Sequence, residues 1–140
     1  LNSNYRNLDD LLILRPFPQS QSGSKPIDEI WTEYRNDMID KAGIAIFLFG
    51  NKLVDGNIVN SNGMEEEFEI CLKHFVVPVP VGATGFVSRI LWEKVMSSLN
   101  AFFPNNEDLH IAIKELGKEN ISNKDIVANT IKVIDILQSL

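Results

Sequence analysis

Short apolar runs alternate with segments of helical periodicity, and this alternation most restricts the folds open to the chain. Residues 11–15 (LLILR), 44–49 (IAIFLF) and 75–81 (FVVPVPV) have strand length and are too continuously apolar to face water on one side. Between the first two, Ile27, Ile30, Trp31, Tyr34, Met38 and Ala42 recur at i, i+3, i+4 and i+7, which predicts a helix opened by Pro26, Asp28 and Glu29. Between the second and third, a helix is expected from about Gly63–Met64 to His74, with Met64, Phe68, Cys71 and Leu72 inward. Three further helices follow, over about 86–100, 106–116 and 126–140. Phe103-Pro104 and Gly117 separate them, and Ser122-Asn123-Lys124-Asp125 resembles a capping box before the last. The order β-α-β-α-β-α-α-α predicts an α/β fold, a parallel sheet with helices on both faces.

Two details qualify that sheet. Pro78 and Pro80 each remove a ladder donor, so the third strand is expected at an edge or an irregular end. Three strands are few for this architecture and the chain begins at Leu1, so one or more strands are expected upstream of Leu1. Residues 51–62 are read as a long loop, a lid or binding loop, containing Asp55-Gly56.

The 140 residues are the size of one domain. Nineteen acidic side chains against thirteen basic ones give a net charge of −6, which argues against nucleic acid as the main partner. A small anion needs only two or three local cations and is not excluded. No apolar run approaches the length of a membrane span. Cys71 is the one cysteine, so no intrachain disulfide forms and a reducing compartment is expected. With only His74 and His110 beside it, no metal-ligand spacing exists and no catalytic triad can be argued.

In an open α/β sheet, ligands sit beyond the carboxyl ends of the strands. The loop after Arg15, the Gly50-Asn51-Lys52 exit and Gly82-Ala83-Thr84-Gly85 are expected to converge there. Lys52 is either a solvated charge or an anion contact. Arg35 falls on the apolar arc of its helix and has no carboxylate at i±3 or i±4. Asp28 is its structural partner on one reading, and an anionic ligand gripped by the guanidinium fork on the other. Glu65, Glu66 and Glu67 suit a helix start, and Glu67, at the margin of the buried face, is the one best placed to meet ribose hydroxyls. Gly82, Ala83, Thr84 and Gly85 offer backbone N–H groups leading into a helix, a phosphate-cradle arrangement. Neither GxGxxG nor GxxxxGK[ST] occurs.

The stretches EYRNDMIDKAGIAIFLFGNK and SNGMEEEFEICLKHFVVPVPVGATGF, with the trailing helices, resemble the C-terminal SLOG domain of Thoeris antiphage-defence effectors of the ThsA family. The resemblance covers essentially the whole chain. It implies a Rossmann-like fold in which residues 1–140 are a partial SLOG domain whose first strand precedes Leu1. It also implies a bacterial cytoplasmic sensor for a cyclic ADP-ribose isomer made by a partner TIR-domain protein. Binding would activate an upstream sirtuin-like domain that hydrolyses NAD; this domain itself would need no cofactor. The family's ligand-contacting arginine, lysine and acidic residue fall on Arg35, Lys52 and Glu67, with Gly82, Ala83 and Thr84 as further contacts. A homo-dimer or tetramer is expected, the apolar face of 126–140 being one surface for it. The alternative is a nucleotide N-glycosidase of SLOG or TIR type with Glu67 catalytic. SLOG enzymes of that kind carry PGGxGTxxE where this chain has SNGMEEEFE, without the paired glycines or the threonine.

Overall fold

A computed structural model describes residues 23–140. The strand expected at 11–15 and the loop after Arg15 lie outside the described residues. The chain divides into two compact units, residues 1–38 and 39–140.

In the first unit, helix α1 (Ile27–Asp40, its last two residues in the second unit) starts where the sequence places it. Pro26 has no N–H to leave unsatisfied at a helix start, and its carbonyl accepts from the amides of Glu29 (3.1 Å) and Ile30 (3.2 Å). Asp28 and Glu29 occupy the first turn, where the helix dipole favours negative charge. Lys25 Nζ donates to Glu33 Oε1 at 2.5 Å.

The second unit contains strands β1 (Ile44–Phe47), β2 (Asn51–Val54), β3 (Asn57–Asn60) and β4 (Val77–Pro80). Its helices are α2 (Gly63–Lys73), α3 (Phe86–Met96), α4 (Leu99–Phe102), α5 (Glu107–Glu115) and α6 (Asn123–Gln138). β1 pairs with β4 in parallel, Ile44 opposite Val77 and Phe47 opposite Pro80. This small parallel sheet is flanked by helices, as the alternating pattern predicts.

The prolines decide where the sheet stops. Val77 N–H donates to Gly43 C=O (3.1 Å) and Val81 N–H to Phe47 C=O (2.9 Å). Amides alternate sides along a strand, so Pro78 and Pro80 turn their missing donors away from β1. β4 is therefore an edge, and among the described residues it has no second neighbour.

Residues 51–62 are not an irregular loop. β2 and β3 form an antiparallel hairpin, Lys52 opposite Val59 and Leu53 opposite Ile58. Its two-residue turn is Asp55-Gly56, with φ of 51° and 79°. Positive φ at both positions is the type I′ geometry that matches the twist of paired strands, and Asp-Gly is a favoured sequence for it.

The remaining boundaries shift by a few residues. The helix expected over 86–100 ends at Met96, with the single turn α4 after it. Asn106 caps α5, its side chain accepting from Leu109 N–H at 2.9 Å. Ser122 caps α6 through Asp125 N–H at 3.1 Å, so that helix starts three residues before the expected Ile126. On α2 the buried residues are Phe68, Ile70 and Cys71; Leu72, expected inward, is exposed.

The core centres on Phe68, whose ring lies 5.8 Å from those of both Phe47 and Phe102. A second knot joins the end of β4 to α5. Trp92 on α3 donates its indole N–H to Ile113 C=O (2.9 Å), and the Arg89 guanidinium stacks over its ring at 4.4 Å. Arg89 also donates to Gly117 C=O at 2.6 Å. Gly82 and Gly117 give the indole its space: a Cβ on Gly82 would stand 2.7 Å from the ring, and one on Gly117 2.2 Å. Gly117→Ala therefore overpacks this knot and is expected to cost about 1–3 kcal/mol. Thermal denaturation should show the melting temperature lower by several degrees, against no change if the indole has room to move.

Candidate functional site

Parallel pairing brings the carboxyl ends of β1 and β4 side by side, and the two exits bind each other. Beyond β1, the Phe49 amide donates to Thr84 Oγ1 at 2.8 Å. The Phe49 carbonyl accepts from Ser88 N–H at the start of α3 (2.9 Å), and the Gly50 carbonyl from Ser61 N–H at the base of the hairpin (2.8 Å). Gly50 has φ of 96°, and a Cβ on it would stand 2.7 Å from Val87 Cβ and 2.9 Å from Met64 Sδ. Both the backbone angle and the close approach require glycine here. The fully buried Ser88 hydroxyl completes the junction by donating to Met64 Sδ at 3.5 Å.

Around this junction lie most of the residues marked from sequence. Lys52 stands two residues beyond Gly50, in β2; it is exposed, and its side chain makes no hydrogen bond or ion pair among the described residues. In an antiparallel pair, directly opposite residues lie on one face and residues two apart along a strand share it, so Lys52 shares its hairpin face with Val59, Val54 and Asn57. That face is the more covered one: Val54 and Val59 are 42% and 38% exposed, against 71% and 63% for Leu53 and Ile58 on the other.

Glu67 sits one turn past Met64 on α2 and is half-buried. Burial pushes the Cys71 thiol up to about 11, with the nearby Glu67 charge adding to the shift. Cys71 is therefore a protonated core residue at neutral pH. Gly82–Thr84 forms a 3-10 turn leading to α3. Its amides already have acceptors: Ala83 N–H donates to Leu116 C=O (2.7 Å), Thr84 N–H to Val81 C=O (3.1 Å) and Gly85 N–H to Gly82 C=O (3.0 Å). The turn is held by the fold through the N–H groups that a phosphate cradle would use.

Arg35 belongs to α1 in the other unit, where it is half-buried. Phe49, Ser61, Met64 and Ser88, which build the junction, carry no sequence signal of that role. Phe49 is a large apolar residue at φ 58°, a conformation seldom adopted by such side chains. A groove of about 450 Å³ runs between α2 and α3, lined by Asn62, Glu65, Glu66, Glu69, Ile90, Leu91 and Lys94. Its three carboxylates against one lysine, itself bound to Glu69 at 2.7 Å, make it unsuited to an anion. No group of metal-ligating side chains occurs among the described residues. No helix among them is long and apolar enough to cross a membrane.

Comparison with known proteins gives one consistent answer. Residues 1–137 match the Sir2- and TIR-associating SLOG family. The chain is 34% identical over 99% of its length to the NAD(+) hydrolase ThsA of Cytobacillus dafuensis. It is 38% identical over 94% to that of Bacillus cereus (strain MSX-D12), and 33% over 89% to that of Enterococcus faecium. It spans only about a quarter of the length of these relatives (28%, 27% and 25%). With a mixed α/β fold, a small parallel sheet and a family match over nearly its whole length, the chain belongs to the Sir2- and TIR-associating SLOG family.

Proposed function

We propose that this chain is the ligand-sensing SLOG part of a ThsA-type NAD hydrolase. In this reading it binds a cyclic ADP-ribose isomer, the signal of a TIR-domain protein, and regulates an attached NAD-hydrolysing effector in bacterial antiphage defence. The observation that carries it is Lys52, an exposed cation on a hairpin rooted where β1 and β4 end. That edge is where open α/β sheets take their ligands. Lys52 meets a pyrophosphate oxygen, and Glu67 accepts hydrogen bonds from a ribose. Gly82, Ala83 and Thr84 present a surface to the ligand, the Ala83 and Thr84 amides being already engaged. Arg35 on α1 is a separate candidate, assigned a phosphate contact by the family resemblance and tested by itself.

NAD hydrolysis in this reading belongs to the part of the relatives that this chain does not span. Homo-oligomerisation is part of it as well. Val127 and Ile131 of α6, four residues apart on one helix face, are both more than half exposed (56% and 51%), which suits a subunit contact.

Isothermal titration with cyclic ADP-ribose isomers tests the reading. Lys52→Ala and Arg35→Ala should each weaken binding roughly ten- to a hundredfold, the worth of one charge-assisted hydrogen bond, without lowering the melting temperature. Unchanged affinity in both variants contradicts it. Incubation of the chain with NAD should release no nicotinamide. Turnover that disappears in Glu67→Gln would instead identify a nucleotide N-glycosidase.

A further inference from the structure

The backbone at Phe49-Gly50 is left-handed at two successive positions, φ 58° and 96°. Glycine adopts this freely, but phenylalanine does not. Phe49 is 51% exposed, so side-chain packing alone is not what holds the residue there. What holds it is hydrogen bonding on both sides of the residue. Thr84 Oγ1 accepts from Phe49 N–H at 2.8 Å and donates its own proton to Val81 C=O at 2.7 Å. The second bond fixes the hydroxyl rotor, so that a lone pair faces the Phe49 amide. The Phe49 carbonyl takes Ser88 N–H and the Gly50 carbonyl takes Ser61 N–H. Thr84 is the one side chain in this set, the other partners being backbone groups.

The hairpin depends on this turn. A two-stranded hairpin is marginally stable by itself, and all eight strand residues of β2 and β3 are exposed. Its base is tied to the sheet through Gly50 and Ser61, directly next to the Phe49 turn. We infer that Thr84 is a positioning residue: its hydroxyl holds Phe49-Gly50 in the left-handed turn that sets the hairpin, and so sets Lys52 at the strand edge. This gives Thr84 a role through its side chain, distinct from a ligand contact by its amide. The part of the inference that concerns ligand rests on the reading of Lys52 given above.

Amide hydrogen exchange on the full chain without ligand tests the turn by itself. Thr84→Val removes the hydroxyl at nearly constant shape, and Thr84→Ser keeps it. In Thr84→Val, the Ser61 and Ser88 amides should exchange about tenfold faster although neither bonds to Thr84, while α5 and α6 amides keep their rates. Thr84→Ser should restore protection. Unchanged rates at Ser61 and Ser88, or an equal rise throughout α5 and α6, overturn the inference. Thr84→Ala beside Thr84→Ser gives the same comparison if the valine variant does not fold.

Titration with a cyclic ADP-ribose isomer then tests the link to Lys52. Thr84→Val should weaken binding several-fold in the native background and much less in Lys52→Ala, because the hairpin has then lost its contact. An equal loss in both backgrounds contradicts positioning through Lys52. If the native chain binds no such ligand, the functional reading fails, while the exchange rates still decide whether Thr84 holds the turn.

Discussion

The parallel pairing of β1 with β4 is the constraint on which the rest of the second unit depends. Val77 and Val81 donate towards β1, and Pro78 and Pro80 leave the opposite side of β4 without donors. One strand order and one polarity follow. With Phe47 opposite Pro80, both chains leave the sheet at the same end and within reach of each other. The hydrogen bonds that then tie Phe49 to Thr84 and Ser88 are possible only because of that register. A one-residue slip would also reverse the face of every side chain on β4 and expose the buried Val79.

The strand exits are tied together by hydrogen bonds and close packing. Ala83, Thr84 and Gly85 direct their amides inward, Trp92 fills the space against Gly82, and Gly50 admits Val87 and Met64 where a Cβ would clash. An anion at this edge would meet side chains carried on the framework, not a cradle of free amides. In the proposed reading, recognition therefore falls to separate side-chain charges such as that of Lys52. The chain spans about a quarter of relatives that are named as NAD hydrolases.

Much of the framework was legible in the sequence, because it rests on short-range chemistry. The apolar runs marked β1 and β4, the prolines marked the edge, Pro26 opened α1, and Ser122 capped α6. The hairpin was missed although Asp55-Gly56 is its ordinary turn, since four-residue strands with Asn at 51, 57 and 60 look polar and irregular. The positive φ of Phe49 was illegible, because only contacts distant in sequence, with Thr84 and Ser88, hold it. The same holds for the amides of residues 83–85. A glycine-rich turn before a helix reads as a phosphate cradle until its acceptors, such as Leu116 C=O, are seen. Strand polarity was enough to put Lys52 just beyond β1, whereas the junction of Phe49 with Thr84 and Ser88 was not readable.

We propose that the joined exits of β1 and β4 form a ligand site for a cyclic ADP-ribose isomer. The most direct measurement is an NMR titration of the isotope-labelled chain with that ligand, following every backbone amide. Saturable shifts concentrated at 50–52, at Ser61, at Glu67 and at 82–85 are expected. Shifts absent at high ligand concentration, or concentrated instead on α5 and α6, would contradict it.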